Sequence, residues 1–376
     1  MNWNLHHSKA EELASQAELA RRLGDTSRAA ELYRLAAGEE TLALTELDPA
    51  KVKTLGITTV SAASLWFKAG EHRRAEQVAC QWLASDVLPS FAIDQLQAVL
   101  QAVWNERTFR EAGIEFARGE ILVRVAGGDV VYGGAPLDLI HLKVDEVRGL
   151  FYRTIELLLN RPLRRHGAPS ADIQEQFRPW LLQAPAGSYQ FAVRVQKPTQ
   201  LSMFPQAGPE IEKVSEKVLQ IAEATSQELP QMLETSVPDA GYRDVFLRLI
   251  RNLAPTGKTF KTLELKPTFE TKARPVLLTP ISRQNVNDTL RSRKKAVDTS
   301  SGLREEQVTG VLRALHLDRD WIEIVTPEPA SEHIQIHQTG DVIDDIVGPL
   351  VNRRVVVDVA VQPDGKRLFR DVQSDE

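Results

Sequence analysis

Few residues in this sequence have the types and spacing that chemistry requires. Ala254-Pro255-Thr256-Gly257-Lys258-Thr259 carries the Gly-Lys-Thr ending of a loop that cradles phosphate with backbone amides and a lysine. Such a loop needs a glycine five residues before Gly257 and a strand feeding it, yet Asn252 stands there and the preceding segment reads as a helix. A helix end and a turn are expected instead. His333 and His337 lie four apart on an expected strand and so share a face, but zinc needs further ligands, and no Cys or HExxH pattern supplies them. Cys80 is the single cysteine; it has no nucleophile context and is expected to pack as a small hydrophobe. His6 and His7 are expected at an exposed terminus. Gly127-Gly128 and Gly133-Gly134 lack dinucleotide-loop spacing and read as turns.

One pattern points to metal chemistry. Pro238-Asp239, followed by Glu264-Leu265-Lys266 on an alternating strand, loosely resembles the metal-dependent nuclease pattern, in which two carboxylates hold a divalent ion and a lysine assists the attacking water. Asp239 falls between expected helices instead of on a strand, so the nuclease stands as a second alternative. No catalytic, cofactor-binding or metal residue is assigned, no cofactor is expected, and an enzyme is the less favoured class.

Phosphate contact is a separate matter. Arg161, Arg164, Arg165 and His166, and the run Arg291, Arg293, Lys294, Lys295, carry suitable charge, with a solvated face as the competing explanation. Residues 241–300 hold 13 Lys/Arg against 5 Asp/Glu, and residues 301–376 hold 8 against 15. A basic block is thus followed by an acidic one, and the two either pair with each other or the basic one meets phosphate or an acidic partner.

The elements that position these groups follow from length and pattern. At 376 residues the chain exceeds the usual size of one core, so two or three domains are expected. The hydrophobic fraction of 42% and charged fraction of 26% are those of a folded protein. No leader-like start and no run of about 18 apolar residues is seen, so a cytoplasmic protein without a membrane span is expected.

The first third repeats itself. Gly24, Ala29, Tyr33 and Ala36 recur 46 residues later as Gly70, Ala75, Ala79 and Trp82. Glycine permits the tight turn between antiparallel helices, and alanine lets them approach closely. Leu13, Ala17, Ala20 and Leu23 mark the helix before the first turn, and Val60, Ser64 and Phe67 the one before the second. This pattern resembles tetratricopeptide proteins over about residues 8–116, with a third pair suggested by Phe91–Val103. The resemblance implies a domain of residues 1–116 that binds a protein partner, with Tyr33, Trp66, Trp82 and Trp104 as candidate contacts.

Residues 119–273 read as a mixed α/β domain. Strands are expected over Glu120–Val125, Gly187–Val195 and Thr259–Leu265, with a short hairpin through Val130-Val131-Tyr132. Helices are expected after Pro136, from Pro169 to near Gln183, over Glu210–Leu233 and, amphipathic, over Tyr242–Leu253. Residues 274–302, a stretch containing Pro, Ser and Thr and one helix, read as a linker. Residues 303–376 give three strands, a short helix over Asp341–Leu350 and two strands joined at Pro363-Asp364-Gly365. That is the order of an OB-type barrel, with an SH3-like barrel as the runner-up. This domain is acidic and holds only Trp321 and Phe369 as large aromatics, which favours protein docking over strand binding. These regions resemble uncharacterised bacterial multidomain proteins, a likeness that brings no activity with it.

The expected fold class is therefore multidomain α+β. The expected function is a non-enzymatic adaptor or regulatory subunit with a protein partner. The alternative is a nucleic-acid-associated regulatory or phage-defence protein using the basic 241–300 block.

Overall fold

The computed structural model describes residues 3–164, 167–183, 189–197, 208–227, 229–269, 271–298, 303–328, 331–340 and 346–375. They form two compact units that part between Glu115 and Phe116.

The first unit is a helical array: α1 (Trp3–Arg22), α2 (Thr26–Glu46), α3 (Val52–Lys68), α4 (His72–Leu83) and α5 (Ser90–Glu111). Each helix packs on the next, and α3 also packs on α5. The repeat seen in sequence is a repeat of turns. Gly24 N–H donates to Arg21 O and Asp25 N–H to Ala20 O, and 46 residues on, Gly70 N–H donates to Phe67 O and Glu71 N–H to Trp66 O. Gly113 and Ile114 close α5 in the same way, on Arg110 O and Phe109 O. All three glycines have positive φ (82°, 77° and 65°), the left-handed cap that favours glycine. The third pair expected over Phe91–Val103 is instead the single helix α5.

Ala29, Ala36, Ala75 and Ala79 are buried in the clusters between the helices. Leu23, expected on the packed face, lies past the end of α1 and is 77% exposed. Cys80 is exposed on α4, contrary to the packing expected of it. His6 and His7 are not a free terminus either. His6 Nδ1 lies 2.6 Å from Glu39, and His7 Nδ1 lies 2.9 Å from the buried Glu40 while its ring stacks on Trp3. Because α1 begins at Trp3, these side chains are fixed on a helix against α2.

The second unit begins with β1 (Ile121–Ala126), α6 (Leu137–Leu158), α7 (Ala171–Gln176), β2 (Pro179–Gln183), β3 (Gln190–Val195), α8 (Ile211–Ser226), α9 (Pro230–Ser236), α10 (Ala240–Leu253), β4 (Thr262–Pro267), β5 (Val276–Leu278) and α11 (Pro280–Asp298). The strands form an antiparallel sheet in the order β2-β3-β1-β4-β5. Alternation along β1 sends Ile121, Val123 and Val125 into the core and leaves Arg124 exposed on the other face. Helix α10 is the amphipathic helix expected over Tyr242–Leu253, and it buries Tyr242, Val245, Phe246, Leu247, Leu249, Ile250 and Leu253 at the centre of this unit.

Three expectations are corrected here. The helix expected from Pro169 to Gln183 stops at Gln176, because Pro179 disfavours helix at the residue before it. Residues 179–183 instead make β2, an edge strand, where a proline removes no ladder bond. Val130–Tyr132 does not pair back as a hairpin; isolated bridges join Gly127 to Val130 and Val131 to Gly134. The stretch 274–302, expected as a linker, supplies β5 to the sheet and α11 to the core, with Val286 and Leu290 buried.

The same unit ends in β6 (Arg304–His316), β7 (Trp321–Val325), β8 (His333–His337), β9 (Arg354–Val361) and β10 (Arg367–Ser374), which close on themselves in the order β10-β8-β7-β6-β9. β8 and β10 pair in parallel and every other pair in the ring is antiparallel. The long β6 bonds to both β7 and β9, and Gly310 sits where it turns between them. A Cβ there would overlap the Val325 carbonyl, so only glycine fits. The turn at Pro363-Asp364-Gly365 is present, with Gly365 N–H donating to Gln362 O. Of the short helix expected over 341–350, residues 341–345 lie outside the described residues, and Gly348–Leu350 is one 3-10 turn. One hydrophobic cluster runs from Ile121 and Phe246 through to Ile322 and Val357, so sheet, helices and ring share a core.

Candidate functional site

The four candidate partner contacts divide by burial. Tyr33 is 2% exposed and Trp66 7% exposed. Lys68 Nζ lies 5.3 Å over the Tyr33 ring and 2.8 Å from Glu18, tying α3 to α2 and α1. Trp66 donates its ring N–H to Thr41 Oγ1 at 3.1 Å and takes Arg74 on its face at 4.6 Å. Both residues serve packing, and neither offers a surface to a partner. Trp82 is half-buried between the small clusters around Leu55 and Leu96. Only Trp104 is exposed, at 41%, with its ring N–H on Glu76 at 2.7 Å.

What the helical array exposes besides Phe91 and Trp104 is aliphatic. Among the described residues, ten of the 18 exposed large hydrophobic ones lie before residue 116, so described apolar surface concentrates on this unit. Leu19 and Leu23, one turn apart at the end of α1, are 59% and 77% exposed. Leu35 and Leu42 follow two turns apart on α2. Sequence reasoning weighted the aromatic residues and missed these leucines; helical-wheel placement of Leu35 and Leu42, away from Tyr33 and Ala36, was the available signal.

Part of the basic block is spent inside the protein, while Lys258, Lys261, Lys266, Lys272, Arg274 and Arg291 are exposed. Arg251 is fully buried on α10 and donates to Asp371 and to Val372 O on β10. Arg248 also reaches Asp371, at 3.3 Å. Arg283 donates to Arg251 O and Ala254 O, and Arg243 to Val237 O and Pro238 O. Pairing between the basic and acidic blocks is therefore real at Asp371. In the proposed phosphate run, Arg291 stands 3.8 Å from Asp288 and Arg293 stands 3.2 Å from Asp244. The side chains of Lys294 and Lys295 lie outside the described residues. Arg161 pairs with Asp172 at 3.0 Å and Arg164 with Glu156 at 2.8 Å, while Arg165 and His166 lie outside the described residues.

The nuclease-like residues stand on different elements. Asp239 caps α10, accepting the Tyr242 N–H at 2.9 Å. Glu264 and Lys266 stand on the sheet face away from the core, with Glu264 opposite Arg124. Among the described residues no group of three His, Cys, Asp or Glu could hold a metal ion. His333 lies 3.0 Å from Glu323 and His337 stands across from Trp321. The 254–259 stretch is the expected helix end and turn, with Ala254 capping α10 and Gly257 at φ 90°. A cleft of about 980 Å³ opens among α8–α11 and the ring residues Gln338, Thr339, Phe369 and Arg370. No described helix is long and apolar enough to cross a membrane. No protein-family model, curated protein or solved structure matches the chain.

Proposed function

We propose that this protein is a non-enzymatic adaptor or regulatory subunit that recruits a protein partner through a tetratricopeptide-like array, α1–α5, carried on a mixed α/β domain with an OB-like barrel. The observation that carries the reading is the concentration of exposed aliphatic side chains on that array, with Leu19, Leu23, Leu35 and Leu42 set at helical spacing. Apolar residues at such spacing match the way helical partners dock by anchors one or two turns apart. The repeated glycine turns ending α1, α3 and α5 support the tetratricopeptide-like description. The OB-like description rests on the ring itself: a three-stranded meander, then two strands, the last parallel to the third.

The test is affinity purification of the tagged full chain from its own cells, with and without nuclease. A stoichiometric protein that survives nuclease and is lost from a Leu19→Glu/Leu23→Glu variant is the expected result. Recovery of nuclease-sensitive material alone would overturn the adaptor reading and direct mapping to Arg291 and Arg293.

A further inference from the structure

The five-stranded sheet has two faces of opposite character. Ile121, Val123, Val125, Phe191, Val193 and Leu265 share one core with helices α6, α8 and α10. The alternate residues make the other face. Register sets them in rows across the strands: Trp180, Arg194; Leu182, Ala192, Leu122, Lys266; and Gln190, Arg124, Glu264, Leu277. Arg124, Lys266 and Leu277 are exposed. Where β2 begins, two rings extend this face. Phe116 bridges to Gln196 just beyond β3 and meets Trp180 edge-on, with centroids 5.7 Å apart at 83°. Trp180 donates its ring N–H to Gln196 Oε1 at 2.9 Å. The exposed Arg178 lies 5.9 Å from the Trp180 ring, and Arg194 lies 5.8 Å from the Phe116 ring.

The charge on this face is positive. Arg124, Arg178, Arg194 and Lys266 stand against Glu120 and Glu264. Glu120 is bonded by Arg194 and Thr268, and Glu264 lies opposite Arg124, so both carboxylates are answered within the face. The surplus is Arg178, at the start of β2, and Lys266 on β4. Three strand spacings, about 14 Å, separate them across the sheet, so one small anion cannot reach both. An acidic peptide would use these cations and leave the rings unused, and a duplex hides its base faces. Bases of a single strand stack on aromatic rings and on guanidinium planes while Lys and Arg take its phosphates. We infer that this sheet face binds a single-stranded nucleic acid, with phosphates at Arg178 and Lys266 and bases against Trp180 and the guanidinium planes of Arg194 and Arg124. The inference is independent of the partner surface on α1–α5.

Fluorescence anisotropy of the full chain with labelled single strands of about 15 nucleotides, RNA and DNA, tests this, against a duplex of the same length and polyglutamate. Saturable binding of a single strand is expected, tighter than that of the duplex or of polyglutamate. Its log affinity should fall with log salt at a slope of about −1.4 to −2.8, as for two to four phosphates. Lys266→Ala, at an exposed position, should make that slope shallower by about 0.7 and leave the melting temperature in place. Trp180→Leu should weaken binding about five- to 150-fold, the range for one stacked base, and Trp180→Phe should restore most of it. Arg291→Ala, on α11 and off the sheet, should bind as the parent does. Failure of both single strands to saturate, equal or tighter binding of the duplex or polyglutamate, or unchanged affinity in both Lys266→Ala and folded Trp180→Leu would each overturn the assignment.

Discussion

Arg251 of α10, wholly buried, is bonded to the Asp371 carboxylate of β10 across 120 residues of sequence. The same guanidinium donates to Val372 O at 2.5 Å, and Arg248 approaches the other carboxylate oxygen at 3.3 Å. A buried charge is tolerable only while its partner is in place. Asp371→Ala is therefore expected to cost about 3–5 kcal/mol, because it strands Arg251 in the core. Denaturant unfolding of the full chain measures this; a loss no larger than that of a surface substitution would show that water reaches Arg251.

Gly310 sets the curvature of the ring. Gly310→Ala places a methyl group on the Val325 carbonyl, and overpacking of this kind costs about 1–3 kcal/mol. Gly365→Ala makes a useful contrast. Nothing stands within 4 Å of a Cβ at that position, so its cost comes from its positive φ of 85° alone.

Glu18 gives the helical array an acid-sensitive tie. Burial pushes its carboxyl up, but the hydrogen bonds of Lys68 and Tyr33 and the charges of Lys68 and Arg21 outweigh that and hold it at about 2. A carboxyl depressed in the folded state stabilises above its ordinary value of 4.5 and loses that contribution as pH falls toward 2. Glu18→Gln is expected to lower the melting temperature near pH 7, with the deficit shrinking through that acid window in thermal melts.

Glu40 has the opposite sign. Burial raises its carboxyl above the ordinary value, with the His7 hydrogen bond pulling the other way. A raised carboxyl contributes most below its unfolded value and costs stability as pH rises through the folded one. The melting temperature of Glu40→Gln relative to the parent should therefore improve steadily as pH is raised from about 4.5. A flat difference would show that the His7 contact fully compensates the burial.

Leu19→Glu with Leu23→Glu should abolish partner recruitment and leave stability within about 0.5 kcal/mol per site, as for other exposed positions. Loss of recruitment together with a large fall in melting temperature would mean that these leucines hold the fold and not a partner.

Much of this architecture was legible from short-range pattern. Gly24 and Gly70 mark their turns because a left-handed cap favours glycine, and alternation along β1, β4 and β7 follows from burial of one face. The edge strands were harder. β5 is three residues long, and β2 begins with a proline in a run that continues a helical pattern, so only pairing with β4 and β3 reveals them. The aromatic residues misled for a physical reason: Tyr33 and Trp66 satisfy their polar atoms inside the array, and composition cannot tell such a ring from an exposed one. The Arg251–Asp371 pair depends on a contact between distant segments, which carries no local spacing.

The position of β10 also bears on how the chain is made. The array α1–α5 packs neighbour on neighbour, so each helix meets its contact soon after leaving the ribosome. Arg251 must wait 120 residues for Asp371, an interval of roughly 6–24 s at 5–20 residues per second. Until then the ring has no partner for the free edges of β8 and β9, and the central helix carries an arginine with nowhere dry to go. Translation speed across residues 251–371 therefore sets how long this unit is open to chaperones and to aggregation, while the helical array is already complete.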